Sequence, residues 1–300
     1  MRVAITGASG LIGTALAGSL RQDGHEVIKL VRRSPQQPDQ VSWDPQASDG
    51  GVDPATFDGV DAVVHLSGAP VAGGWWTRAR KRELTDSRIQ STRALVTAIG
   101  KAAVPPAALL CGSAVGWYGD TGSREVDESA PAGTGFLAGL VRDWEAASRG
   151  GPPGLRVVNL RSGVVLSSQG GMLGPLAPLF RFGLGARLGS GRQYISWIAV
   201  TDHVAAVRYL IEHADIEGPV NLTAPNPVTN AEFTAELGRA LGRPARLWVP
   251  SPVLRAGLGE LSGELLGSQR VRPARLLQEG FAFRYPGVAT ALAAAFSPKD

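Results

Sequence analysis

The chain has 300 residues, 44% hydrophobic and 19% charged, with a formal net charge of +4. That balance excludes a disordered chain, which needs low hydrophobicity and high charge, and the length allows one large domain or two modest ones. The 39 glycines and 21 prolines show no G-X-Y period, so collagen is excluded and many tight turns are expected.

In chain order, Arg2–Thr6 reads as a strand and Leu11–Asp23 as a helix stopped at Gly24. Glu26–Val31 and Ala62–Leu66 are further apolar, strand-like runs, and residues 78–101 form a long helix. Ala107–Gly112 is a strand, Phe136–Arg149 a helix, and Arg156–Leu160 and Val164–Leu166 are again strand-like. Alternation of this kind calls for a mainly parallel sheet with helices on both faces. The second half is less regular. Thr201–Glu212 is a helix with Thr201 or Asp202 as N-cap, Pro219–Thr223 a strand, and Asn230–Leu241 a helix ended by Gly242. Amphipathic stretches follow near 252–267 and 287–296. The expected fold is α/β: a Rossmann-like parallel sheet flanked by helices over 1–166 and a smaller mixed α/β domain over 167–300. The strand near 219–223 is expected to rejoin the first sheet.

No stretch approaches the ~20 apolar residues of a membrane helix. The apolar run from Arg2 leaves no room for a signal peptide, so a cytoplasmic protein is expected. Cys111 is the only cysteine and lies beside Leu109 and Leu110, which predicts an inert, buried thiol. Lysine occurs only at 29, 81, 101 and 299. The cluster Arg78, Arg80, Lys81, Arg82, Arg88 and Arg93 reads as a solvated helix face or a site for an anionic ligand. No motif supports nucleic-acid binding. The histidines, at 25, 65, 203 and 213, have no metal-ligand spacing. His65 ends an apolar strand on the ligand side; the other three read as structural or surface groups.

The strongest local signal is Thr6-Gly7-Ala8-Ser9-Gly10-Leu11-Ile12-Gly13, between a strand and a helix. Its glycines are spaced GxxGxxG, but the physics of the commoner dinucleotide fingerprint carries over. Gly7 permits the tight turn, Gly10 lets amides approach a pyrophosphate, and Gly13 lets the helix pack on the sheet. The helix N-terminus then favours the phosphate charge. At the end of the second strand an acidic residue would select NAD. Here Arg32 and Arg33 stand instead, a pair suited to a 2′-phosphate. The expected cofactor is NADP(H).

Several segments carry a resemblance. TGASGLIG, VVHLSGAP at 63–70 and SAVGWYG at 113–119 resemble the extended short-chain dehydrogenase/reductase superfamily. WWTRARKRELTDSRIQSTRALV, RSGVVLS, GSGRQYISWIAVTDH and SQRVRPARLLQEGFAFRYP are similar to one atypical branch. It is the NAD(P)-dependent epimerase/dehydratase-like branch with a C-terminal domain of unknown function. The resemblance spans nearly the whole chain. It implies cofactor contacts at Ser9, Leu11, Ile12, Leu66, Ser67 and Gly68 beside the three glycines. It also implies a cleft between the two domains and a small-molecule substrate.

Superfamily enzymes carry a Ser/Thr and a Tyr-x-x-x-Lys. Ser113 matches the first. Aligned on Glu145, Leu137 stands at the Tyr position and Val141 at the Lys position, and neither transfers protons. Four residues after tyrosines 118, 194, 209 and 285 come Gly122, Ile198, His213 and Ala289, so the motif is absent. Tyr118, in the WYG turn, is the one tyrosine candidate for acid/base work, with Lys81 or Arg88 as a neighbouring cation and pocket lining as its alternative role. Glu125 and Glu128 either meet a substrate or are solvated. Where nucleotide-sugar enzymes place an arginine for the diphosphate, this chain has Ile195. Gln193, Ser196 and Trp197 are candidates to line a smaller ligand. Trp75 and Trp76, after Gly73-Gly74, are candidates to cap the cleft. Two functions remain open: an NADP(H)-dependent oxidoreductase or epimerase using Ser113 and Tyr118 (or water), and a catalytically silent NADPH-binding sensor or interaction protein.

Overall fold

The computed structural model describes residues 1–72 and 74–297. Gly73 and Lys299 therefore lie outside the described residues. Strand β1 (Arg2–Thr6) leads into α1 (Leu11–Gln22), β2 (Glu26–Val31), β3 (Gln40–Ser42) and β4 (Ala62–His65). Then come α2 (Arg78–Gly100), β5 (Ala108–Ala114) and α3 (Phe136–Ser148). The main sheet has seven strands, in the order Gly218–Leu222, Arg156–Ser162, β5, β4, β1, β2, β3. Every pairing in it is parallel, as the crossover helices require. The strand near 219–223 does lie in this sheet, beside Arg156–Ser162.

Side chains alternate across each strand, and the two faces bury different partners. Val3, Ile5, Val64 and Leu110 pack with Leu16 and Leu20 of α1 and with Val204, Val207 and Leu210. Ala4, Val63, Leu109 and Cys111 face Leu84, Leu95 and Ile99 of α2 and Leu140 and Trp144 of α3. Cys111 is fully buried, and burial pushes its thiol up to about 12.

Three expectations change. β3 was not foreseen, because three residues with one apolar side chain carry no period. β5 runs two residues past Gly112, so Ser113 sits inside the strand in register with Arg161. The helix Val200–Glu212 has Ala199 at its N-cap, without a side-chain cap. Asp202 instead accepts from the amides of Arg284 and Tyr285, each at 2.9 Å, and so ties the C-terminal segment to the fold.

The later residues form small sheets and short helices around Leu166, Trp197, Phe233, Leu237 and Leu292. The amphipathic stretch near 252–267 is two helices, Ser251–Leu258 and Leu261–Leu266. Gly259 separates them at φ 56°. No described helix is long and apolar enough to cross a membrane.

Candidate functional site

The glycine loop joins β1 to α1 at the carboxyl edge of the sheet. Gly7 has φ 67°, and a Cβ there would stand 2.8 Å from the Leu66 carbonyl carbon. A Cβ on Gly13 would stand 2.3 Å from the Gly7 oxygen. Both positions therefore need glycine to bring loop, helix and the end of β4 together. Gly10 is less crowded, its nearest contact being the Gly7 oxygen at 3.3 Å. It is the N-cap of α1, which has no side-chain cap and no acidic residue in its first turn. The first-turn amides of Leu11 and Ile12, with Ser9 beside them, are thus left for an anion.

Thr6 fixes the neighbouring strand end. Its hydroxyl lies 2.7 Å from His65 Nδ1 and accepts from the Leu66 amide at 3.2 Å. His65 itself is fully buried, and burial holds its imidazole down at about 3. It faces Ser91 and Trp43 on the α2 side, under the strand end rather than in the open cleft. Leu66 and Ser67 are half-buried and Gly68 is exposed. Beyond β2, Arg32 and Arg33 are exposed. Among the described residues neither forms an ion pair.

Ser113 and Tyr118 meet in one buried network. Ser113 Oγ donates to Glu145 Oε1 at 2.6 Å. Arg161 grips both Glu145 oxygens, Nε to Oε1 at 2.8 Å and Nη2 to Oε2 at 3.0 Å. Its Nη1 donates to the Tyr118 hydroxyl at 3.0 Å, and that hydroxyl donates to Asn221 Oδ1 at 2.7 Å. The guanidinium lies 3.9 Å from the Trp117 ring centre. Burial pushes the Tyr118 phenol up to about 12, against the pull of Arg161. Glu145, Arg161 and Asn221 were not foreseen as site residues. The available signals were weak: Glu145 falls beside the apolar face of α3 and Arg161 in a largely apolar strand, and a buried charge needs a partner. Leu137 and Val141 close the same region from α3, within 3.8 Å of where a Gly116 Cβ would stand.

Other candidates separate. Trp75 is 61% exposed, with its ring beside Gly259. Trp76 is buried, donates to Val71 O at 3.2 Å and meets Phe136 edge-on, so it is core. Lys81 pairs with Glu260 at 2.5 Å, joining α2 to the C-terminal segment. Gln193, Ser196 and Trp197 are buried and hydrogen-bonded to backbone carbonyls. They hold the fold rather than line a cleft. Glu125 pairs with Arg270 at 3.5 Å. Glu128 accepts the Asn221 amide at 2.9 Å, and burial raises its pKa. Among the described residues no group of three or more His, Cys, Asp or Glu is arranged to hold a metal.

Two family models match the chain. Residues 3–222 fit the NAD dependent epimerase/dehydratase family, and 249–295 fit a domain of unknown function, DUF1731. Epimerase family protein MT2273 of Mycobacterium tuberculosis is 50% identical over 292 residues, covering 97% of this chain and 96% of that one. The crystal structure of human epimerase family protein SDR39U1 with NADPH superposes with a TM-score of 0.91 at 36% identity. It covers 98% of this chain and 99% of the human one. A nucleoside-diphosphate sugar epimerase from Corynebacterium glutamicum gives a TM-score of 0.79 at 37% identity, covering 98% of this chain and 57% of that one. The likeness runs through both the glycine loop and the C-terminal segment, and the chain belongs to the NAD-dependent epimerase/dehydratase family.

Proposed function

We propose that the chain binds NADP(H) and transfers hydride to or from a small molecule. The supporting observation is the uncapped, acid-free start of α1 together with the exposed Arg32 and Arg33 beyond β2, which form no ion pair among the described residues. In this reading Gly7, Ser9, Gly10, Leu11, Ile12 and Gly13 cradle the pyrophosphate, and Leu66, Ser67 and Gly68 flank the ribose. Arg32 and Arg33 take the 2′-phosphate. A charge-assisted contact contributes roughly 1.5–3 kcal/mol. The NADPH bound by the human relative agrees with this choice. Residues 1–166, with the returning strand Gly218–Leu222, form the dinucleotide-binding part, and 167–300 close the substrate side.

Bound dinucleotide supplies the hydride chemistry; the chain supplies position. Ser113 and Tyr118 form the polar floor below the nicotinamide side. Ser113 commits its hydroxyl hydrogen bond to Glu145, and Tyr118 both donates and accepts within the network. The floor therefore orients and polarises, and water moves the proton.

That same commitment of Ser113 and Tyr118 favours a second reading, an NADPH-binding sensor without turnover. Calorimetry with NADPH and NADH tests the cofactor assignment in wild type and in Arg32→Ala/Arg33→Ala. NADPH is expected to bind more tightly, and the double variant to lose the difference; equal affinities in wild type defeat the assignment. Stereospecific transfer of deuterium from C4-labelled NADPH to a carbonyl panel separates enzyme from sensor.

A further inference from the structure

On the NADP(H) reading above, the dinucleotide must cross the sheet from β2 toward β5. The strand order β5, β4, β1, β2 makes that three spacings, about 14 Å. With the 2′-phosphate at Arg32 and Arg33 and the pyrophosphate on α1, the nicotinamide half lies over the ends of β4 and β5.

Arg88 of α2 stands at those ends. Its Nη2 donates to the Ala69 carbonyl at 2.9 Å, and its Nη1 to the Leu84 carbonyl at 3.1 Å. Ser87 accepts the Ala69 amide at 3.0 Å, so two consecutive α2 residues clamp the loop after β4. A Cβ on Gly68 would lie 3.2 Å from Arg88 Cζ. On the other side the guanidinium carbon is 5.2 Å from the Trp144 ring centre. That ring in turn lies 3.0 Å from where a Gly112 Cβ would stand. The guanidinium is thus held between the loop after β4 and Trp144 of α3, whose ring covers Gly112 of β5.

Nothing described balances its charge. Among the described residues no carboxylate pairs with Arg88. Glu145, the acid carried by the same α3 turn as Trp144, is bound to Arg161. Burial, with Arg80 adding repulsion, lowers Arg88 to about 10, which leaves it cationic at neutral pH. An isolated charge in such a place is unfavourable, and a second cation beside it is more so.

We infer that Arg88 makes the site select the reduced cofactor. The oxidised nicotinamide ring is cationic and would meet this unbalanced guanidinium. The dihydronicotinamide ring is neutral and meets no repulsion. The preference needs no acid/base group, so it holds for an enzyme and for a sensor of the NADPH/NADP⁺ ratio.

Calorimetric titration of the full chain with NADPH and with NADP⁺ reads the effect as a ratio of dissociation constants. Wild type is expected to bind NADPH at least ~10-fold more tightly, equivalent to about 1.4 kcal/mol. Arg88→Gln removes the charge and is expected to bring the ratio near one. Arg88→Lys keeps the charge and is expected to retain most of the preference. Loss of the Ala69 clamp alone would weaken both forms equally and leave the ratio unmoved. A wild-type ratio near one, or a ratio unchanged in Arg88→Gln, overturns the inference. Failure of wild type to bind either form overturns the NADP(H) reading on which it rests.

Discussion

Ser113 and Glu145 share a 2.6 Å hydrogen bond in which the hydroxyl donates and the carboxylate accepts. Both are buried, at 5% and 1% exposure, and the other side of Glu145 is held by Arg161. The carboxylate therefore orients the serine and neutralises the guanidinium at once. Replacing Glu145 with Ala leaves Arg161 buried without a counter-charge, a change that costs about 3–5 kcal/mol. Replacing Glu145 and Arg161 together with apolar residues of similar size should recover most of that loss. Urea unfolding of wild type and the two variants checks this. If Glu145→Ala unfolds at the wild-type midpoint, the pair does not hold the floor of the site.

Tyr118→Phe tests the other end of the network. It removes the acceptor for Arg161 Nη1 and the donor to Asn221 Oδ1. Leaving buried polar partners unmatched costs about 1–3 kcal/mol. With its pKa raised to about 12 by burial, the phenol favours the fold fully below the unfolded value of about 10. That contribution is lost as pH rises through about 12. Wild type should therefore lose stability in strong alkali more steeply than Tyr118→Phe. In contrast, cofactor-dependent turnover should keep the same pH profile between pH ~6 and ~9, because a phenol this far from its pKa stays protonated throughout that range. A profile that shifts on substitution would restore Tyr118 as the proton carrier.

The parts of the site legible in the sequence are local ones. Gly7, Gly10 and Gly13 act within a single strand-turn-helix, so their spacing alone points to the geometry. Arg32 and Arg33 follow a strand whose end was identifiable from its apolar run. The ion pair was not legible, because Arg161 and Glu145 lie 16 residues apart on a strand and a helix. Asn221 reaches Tyr118 from 103 residues away. Only the sheet order brings these groups together. Ser196 and Trp197 misled for a related reason: a polar and an aromatic residue look alike in sequence whether they face a ligand or staple a C-terminal segment.

The three glycines should respond differently to alanine. At Gly13 the added methyl meets backbone at 2.3 Å, which α1 cannot relieve without moving off the loop. Overpacking of this kind costs about 1–3 kcal/mol. At Gly10 the nearest contact is 3.3 Å, so a small adjustment suffices and stability should change by less than about 1 kcal/mol. The methyl would nevertheless occupy the approach to the α1 amides. Gly10→Ala should thus keep the thermal midpoint and lose NADPH affinity, while Gly13→Ala loses both. Undiminished NADPH binding by a folded Gly10→Ala would remove α1 as the pyrophosphate site.

Acid should destabilise the protein above the range where most carboxylates titrate. Burial lowers His65 to about 3 and His203 to about 4, against about 6.5 in the unfolded chain. A depressed histidine favours the fold fully above the unfolded value and loses that contribution as pH falls toward the folded one. Between pH ~7 and ~5 each should give up about 2 kcal/mol. Glu128 and Glu264, whose pKa values burial raises, oppose this at the acid end, so the comparison needs a difference between variants. His203→Gln removes one titrating group and keeps an amide in reach of Ser162 Oγ, which now lies 2.9 Å from His203 Nε2. Its unfolding free energy should fall by about 2 kcal/mol less than that of wild type over the same interval. Equal slopes in the two proteins would mean that His203 is protonated in the fold, and that the buried pocket around it admits a counter-charge.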